Sequence, residues 1–169
     1  MIALGVDPGT TKVGYGLVKE RNRDLILINY GCLKLESSFP LPQQLQDLYF
    51  RLTEIVEHYH PDALAIEDFF LVRNPHAVIT MGQIRGVILL VAAQSKLEVA
   101  GYSPVKVKQA VASYGRASKA QIQKMVQNLL QLSDVPSPED AADALALDIC
   151  HLSLYRWKHI EQLDKKAFL

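Results

Sequence analysis

Ile2-Ala3-Leu4-Gly5-Val6-Asp7-Pro8-Gly9-Thr10-Thr11 is the stretch around which the chain is organised. Its apolar run reads as a buried strand that delivers one carboxylate, Asp7, into a Pro-Gly turn. A charge at the end of a buried strand is costly unless it is paired, hydrogen-bonded or bound to a metal. Asp, Pro and Gly are also common turn residues for local backbone reasons, so Asp7 taken alone is explained equally well as a turn former. The deciding question is which other residues meet it.

Working outward, Val13 to Val18 reads as a second strand and Asp24 to Leu35 as a third, joined by short turns into an antiparallel meander. Gly14 and Gly16, two apart on one face, admit close approach of a helix or ligand; packing alone accounts for them equally well. From Leu41, with Pro42 in the first turn, apolar residues recur at Leu45, Leu48, Leu52, Ile55, Val56 and Tyr59, the period of a helix that ends near His60-Pro61. Asp62 to Ile66 then repeats the opening pattern, a short apolar strand that finishes in acid, here Glu67-Asp68. A crossover helix makes the first and fourth strands parallel, which places Asp7 and Glu67 at one carboxyl edge, where open α/β sheets hold ligands.

Asn74-Pro75 starts a second helix with a wide apolar stripe from Ala77 to about Ser95. Its last half is apolar nearly all round, so it is either buried on two sides or half buried against a partner. Leu97 to Tyr102 is a fifth strand, and Ser103 to Lys108 a loop. Ser118 and Gln121 form a capping box for a helix carrying Ile122, Met125, Val126, Leu129 and Leu130. The last helix opens at Pro136 to Asp140 and runs toward Trp157, beyond which the tail frays. Asp140 and Asp143, three apart, share one helical face. The helix dipole favours an acid in the first turn, which accounts for Asp140 and covers Asp143 poorly.

With 169 residues, 49% of them hydrophobic, the chain fits one domain with a full core, residues 1–157, followed by a tail, residues 158–169. No signal-like segment opens it, and the longest apolar run, Val87 to Ala93, is far short of a bilayer span of about 20 residues, so a cytoplasmic protein with no membrane partner is expected. Cys32 and Cys150 lack ligand spacing and read as small buried hydrophobes. Net charge is zero, but its distribution is uneven: 6 basic and 10 acidic residues to Asp68, 8 basic and 1 acidic from there to Ser133, then 4 basic and 7 acidic. A basic middle between acidic flanks suits an enzyme that acts on a polyanion with bound cations.

The carboxylates Asp7, Glu67, Asp140 and Asp143 offer four oxygen ligands without a histidine or thiolate cluster, a set that suits magnesium or manganese. Two such ions about 4 Å apart activate water and stabilise the leaving oxygen in phosphodiester hydrolysis. Four like charges share a site poorly without cations. A metal-dependent nuclease is the reading that residues alone support.

The order of elements resembles the ribonuclease H-like fold. Gly-Val-Asp-Pro-Gly-Thr-Thr at 5–11, Ala-Ile-Glu-Asp-Phe-Phe at 65–70, Met-Gly-Gln-Ile-Arg-Gly-Val at 81–87, Val-Lys-Gln-Ala-Val at 107–111 and Asp-Ala-Ala-Asp-Ala-Leu-Ala at 140–146 resemble the RuvC family of bacterial Holliday-junction resolvases. The resemblance covers roughly residues 1–155. It implies a five-stranded mixed sheet of order 3-2-1-4-5, strand 2 antiparallel, with helices on both faces. It makes Asp7, Glu67, Asp140 and Asp143 the catalytic ligands of two Mg2+ ions per subunit, with Mn2+ as a substitute. It also makes Lys108 and Lys119 contacts to the scissile strand, Phe70 an aromatic that stacks on an unpaired base, and Arg73, Lys106 and Arg116 further DNA contacts. A homodimer through the helix from Asn74, a four-way junction as substrate and the RuvA-RuvB branch-migration complex as partner follow in the same way. Asp68 departs from the family pattern, and either tunes the metal or faces solvent.

Other readings are a less selective nuclease of the same fold, a junction-binding module without catalysis, and an actin- or sugar-kinase-type ATPase, whose phosphate loop also reads Asp-x-Gly-Thr-Thr. The ATPase needs a second similar domain that 169 residues do not hold, and a binding module has no use for four converging acids.

Overall fold

A computed structural model of the chain describes residues 1–68 and 75–167, with side chains described to Arg156. The elements run β1 (Ile2–Asp7), β2 (Lys12–Arg21), β3 (Asp24–Lys34), α1 (Leu41–Tyr59), β4 (Ala63–Glu67), α2 (Pro75–Gln94), β5 (Glu98–Tyr102), α3 (Pro104–Ala112), α4 (Lys119–Leu129) and α5 (Glu139–Ala167). The five strands form one sheet of order β3-β2-β1-β4-β5. The β1–β2 and β2–β3 pairs are antiparallel, and the β1–β4 and β4–β5 pairs parallel. The sheet order and the mixed directions are those implied by the family resemblance.

Alternation along the strands decides which helix covers which face, because successive side chains point to opposite sides. On β1 and β4, Leu4, Val6, Leu64 and Ile66 join the core beneath α1 and α2 together with Leu48, Leu52, Ile84 and Ile88. Ala3 and Ala65 face the other way, into the core formed with α3, α4 and α5. Asp7 follows Ala3 and Gly5 in that alternation, and Glu67 follows Ala65. Both acids therefore emerge on the side of α5.

That side is built from small residues, and the reason is steric. A Cβ on Gly5 would stand 2.1 Å from the Ala144 carbonyl oxygen, and one on Gly14 would stand 2.0 Å from that of Asp140. Gly5 is paired with Gly16, and Asp7 with Gly14, across β1 and β2. The α5 backbone thus lies directly on the sheet and presses its own Ala141, Ala144 and Leu145 against it, all buried. The close approach that Gly14 and Gly16 admit is made by a helix.

Three expectations change. Ser103 to Lys108 is the start of α3, whose N-cap Ser103 accepts a hydrogen bond from the Lys106 amide and whose Val107 and Val111 are buried. Two buried positions in a helix of nine residues carry too little periodicity to show it in the sequence. The last helix does not fray after Trp157 but continues to Ala167. Finally, β2 extends past Val18 to Arg21, with a register irregularity between Leu17 and Val18. The capping box at Ser118 and Gln121 is formed in both directions. Both cysteines are free thiols, Cys150 buried and Cys32 half-buried.

Candidate active site

Asp7, Glu67 and Asp143 line one open cleft of roughly 200 Å³ at the carboxyl edge of the sheet, with Lys108 and Lys119 on its wall and Ile122 and Leu147 among its apolar contacts. Asp7 arrives from the end of β1, Glu67 from the end of β4, Asp143 from the second turn of α5, Lys108 from α3 and Lys119 from the first position of α4. The carboxylates come together because two parallel neighbouring strands end at the same level, and α5 is let onto the sheet beside them by the glycines.

Their electrostatics record the crowding. Burial pushes the Asp7 carboxyl up to about 7, reinforced by the charges of Glu67, Asp143 and Asp140 and opposed by Lys119. Glu67 is raised by burial and then by Asp143, with Lys119 and Lys108 opposing. Asp143 is raised by burial, against the pull of its bond to Lys119. Desolvation and like-charge neighbours favour the neutral acid, and a bound cation removes both penalties.

Two lysines meet the acids of α5 from opposite sides. Lys119 Nζ lies 2.9 Å from Asp143 Oδ2 and 3.1 Å from Glu139 Oε2. Lys12 Nζ, at the start of β2, lies 2.5 Å from Asp140 Oδ2. Among the described residues, no three acid, histidine or cysteine side chains stand close enough together to clasp an ion as they are. The donor set nevertheless fits a hard divalent cation, because every acid that faces the cleft is an oxygen ligand and Asp7, half-buried among like charges, carries a charge penalty that a cation would lift.

Of the other residues singled out in the sequence, Lys106 and Arg116 are exposed and are not among the residues that line the cleft, and Lys106 Nζ lies 5.7 Å from the centre of the Tyr102 ring. Phe70 and Arg73 fall outside the described residues. Asp68 is partly open to solvent and is also paired. Its Oδ1 pairs with Arg85 at 2.8 Å, and the same guanidinium donates to the Glu67 carbonyl. Arg85 of α2 therefore ties down the end of β4 that carries Glu67.

Sequence reasoning missed Lys12, Arg85 and Asp148. Asp148 could have been noticed as an acid inside the run Ala144 to Cys150, where nothing else is polar. Lys12 and Arg85 gave no local signal, because their partners are remote in sequence.

A five-stranded mixed sheet with carboxylates at the ends of its two central strands and at the head of a helix packed on them defines a nuclease of the ribonuclease H-like class. The family model described as crossover junction endodeoxyribonuclease RuvC matches residues 3–151. The chain belongs to that family. A crossover junction endodeoxyribonuclease RuvC from Pelotomaculum thermopropionicum is 46% identical over 158 residues, covering 94% of this chain and 96% of the relative. One from Syntrophomonas wolfei is 47% identical over 156 residues, covering 92% and 91%. Among solved structures, T. thermophilus RuvC in complex with a Holliday junction substrate superposes with a TM-score of 0.86 at 28% identity, covering 93% of this chain and 96% of that one.

Proposed function

We propose that this protein cuts four-way DNA junctions by hydrolysing one phosphodiester in each of two symmetric strands, with Asp7, Glu67, Asp140 and Asp143 as ligands for two divalent cations, magnesium first and manganese as a substitute. The observation that carries this reading is the half-buried Asp7 carboxyl, which shares a cleft with Glu67 and Asp143, feels the charge of Asp140, and faces Lys108 and Lys119. When bound, the two cations supply Lewis-acid activation of water and stabilisation of the leaving oxygen.

The chain's own residues do the rest. Lys108 and Lys119 draw a strand phosphate toward the acids and offset their charge on Asp7 and Glu67. The apolar wall of Ile122 and Leu147 keeps the dielectric low around them, which strengthens each charge interaction. Arg85 fixes the backbone of Glu67, so its carboxylate meets the cleft from a set direction. Lys106 and Arg116, together with Phe70 and Arg73, extend the contact to DNA beyond the cleft.

A homodimer formed through α2 supplies the second cut, since a two-fold axis relates two sites as the symmetry of a junction requires. Supporting this, one face of α2 packs on the sheet through Ile84 and Ile88 while Ile79 and Leu90 are 60% and 50% exposed. Residues His76–Gln94 are long and apolar enough to cross a membrane by length and composition. Arg85 at the middle of that segment, ion-paired to Asp68, fits a helix packed against protein. The RuvA-RuvB branch-migration complex is the partner, and the cytoplasm the place, that a junction-cutting enzyme of this family would have.

The test is cleavage of a labelled four-way junction beside a linear duplex of the same sequence, with magnesium. Paired nicks in the junction alone are expected, and equal cutting of the duplex would refute junction selectivity. Asp7→Asn should abolish cleavage and leave junction binding largely intact, because affinity comes mainly from Lys and Arg on phosphates. Loss of binding in proportion to cleavage, in a folded variant, would refute the assignment of Asp7.

A further inference from the structure

Lys12 enters the site by a route that no strand-end pattern signals. It is the first residue of β2, just past the turn that follows Asp7, and the pairing of Asp7 with Gly14 sets this turn against the head of α5. Its ammonium lies 2.5 Å from Asp140 Oδ2, with 44% of the Lys12 side chain and 25% of the Asp140 side chain exposed. On the opposite flank Lys119 takes Asp143 Oδ2 at 2.9 Å. Asp140 and Asp143 thus each have one oxygen engaged by an ammonium, and the two ammonium groups come from different elements, β2 and α4.

We propose that Lys12 is a resident counter-ion of Asp140 that competes with a divalent cation for that carboxylate and so sets the metal affinity at this end of the site. The proposal rests on the two-cation reading above. Mg2+ and Mn2+ bind carboxylate oxygens at about 2.0–2.2 Å, closer than the ammonium stands, and a second positive charge on the same carboxylate repels the first. The cation must displace Lys12 or share Asp140 with it at a cost, and either lowers the apparent affinity. The half-exposed position of Lys12 makes displacement easy, since an ion pair open to water contributes little net free energy. Lys119 is less readily displaced because Glu139 holds it as well, at 3.1 Å.

The experiment is a titration of the DNA-free protein with Mn2+, free metal being read by electron paramagnetic resonance, for the wild type, Lys12→Gln and Lys12→Arg. Lys12→Gln, which removes the charge and keeps the length, should bind Mn2+ about two- to fivefold more tightly, the upper scale of an exposed ion pair. Lys12→Arg, which keeps the charge, should bind no more tightly than the wild type. Saturable binding with an unchanged or weaker Kd in Lys12→Gln would overturn the proposal and leave the metal centre standing. Equal tightening in Lys12→Arg would also overturn it, since charge would then not be the cause. Absence of saturable Mn2+ binding in all three proteins would refute the two-cation reading itself, and this inference with it.

Discussion

Asp148→Asn should make the protein more stable at neutral pH and flatten the dependence of its stability on pH. Asp148 lies in α5 with no exposed surface. It is wedged against the sheet where a Cβ on Gly16 would stand 2.6 Å from its Oδ2 and one on Gly5 would stand 3.0 Å from its Cγ. Neither carboxylate oxygen has a well-formed hydrogen bond among the described residues. Burial pushes the acid well above its ordinary value of 3.8, with the Gly5 backbone amide nearby in opposition. In the unfolded chain this group loses its proton near 3.8, and in the folded protein it keeps it to higher pH. Over that interval folding takes up a proton, so stability is greatest in acid and falls as pH rises, by about 1.4 kcal/mol per pH unit. The loss accumulates over the whole interval in which the folded carboxyl keeps its proton. Asn does not titrate. Its amide finds no better partner in the same place, an offset of about 1–3 kcal/mol that does not vary with pH.

The slope is therefore the diagnostic quantity. Urea unfolding followed by far-ultraviolet circular dichroism, in EDTA and at several pH values above the ordinary carboxylate range, should show the variant gaining on the wild type as pH rises, with a limiting slope of about 1.4 kcal/mol per unit. Asp7, Glu67 and Asp143 are also raised and contribute the same sign. They do so in both proteins, so the difference isolates Asp148. Parallel curves would refute a buried, neutral Asp148.

Lys108→Ala and Lys119→Ala should each weaken cleavage and reduce the salt slope of junction binding by about 1, as loss of one phosphate contact does; an unchanged slope, measured by fluorescence anisotropy across a salt series, would remove the phosphate role. Gly14→Ala places a Cβ 2.0 Å from the Asp140 carbonyl oxygen. It should cost about 3 kcal/mol, the upper part of the overpacking range, and should lower cleavage further by lifting Asp140 and Asp143 from Asp7. Urea unfolding and junction cleavage at a temperature where the variant remains folded measure the two effects separately.

Much of this was legible along the chain. The strand-like run to Asp7 and its echo ending in Glu67 are local patterns, and a helix between two strands makes them parallel, so both acids could be placed at one edge before any coordinates. Asp140 and Asp143 were legible for a similar reason, since a spacing of three fixes a shared helical face. What periodicity failed to show was α3, whose nine residues carry only Val107 and Val111 as buried positions. The pairing of Asp68 was not legible because its partner, Arg85, is 17 residues away in another element.

The amino-acid sequence by itself determined most of the elements, the parallel direction of β1 and β4 and which carboxylates stand at element ends, because backbone preference and apolar alternation act over a few residues; the full sheet order was legible only through the family resemblance. Only the tertiary structure decided how the acids sit relative to one another. The descent of α5 onto Gly5 and Gly14, the ammonium groups of Lys12 and Lys119 on opposite flanks, and the burial of Asp148 all depend on contacts between residues far apart in the chain. Steric room and charge at those contacts are properties of the packed interface, and a local pattern carries no record of them.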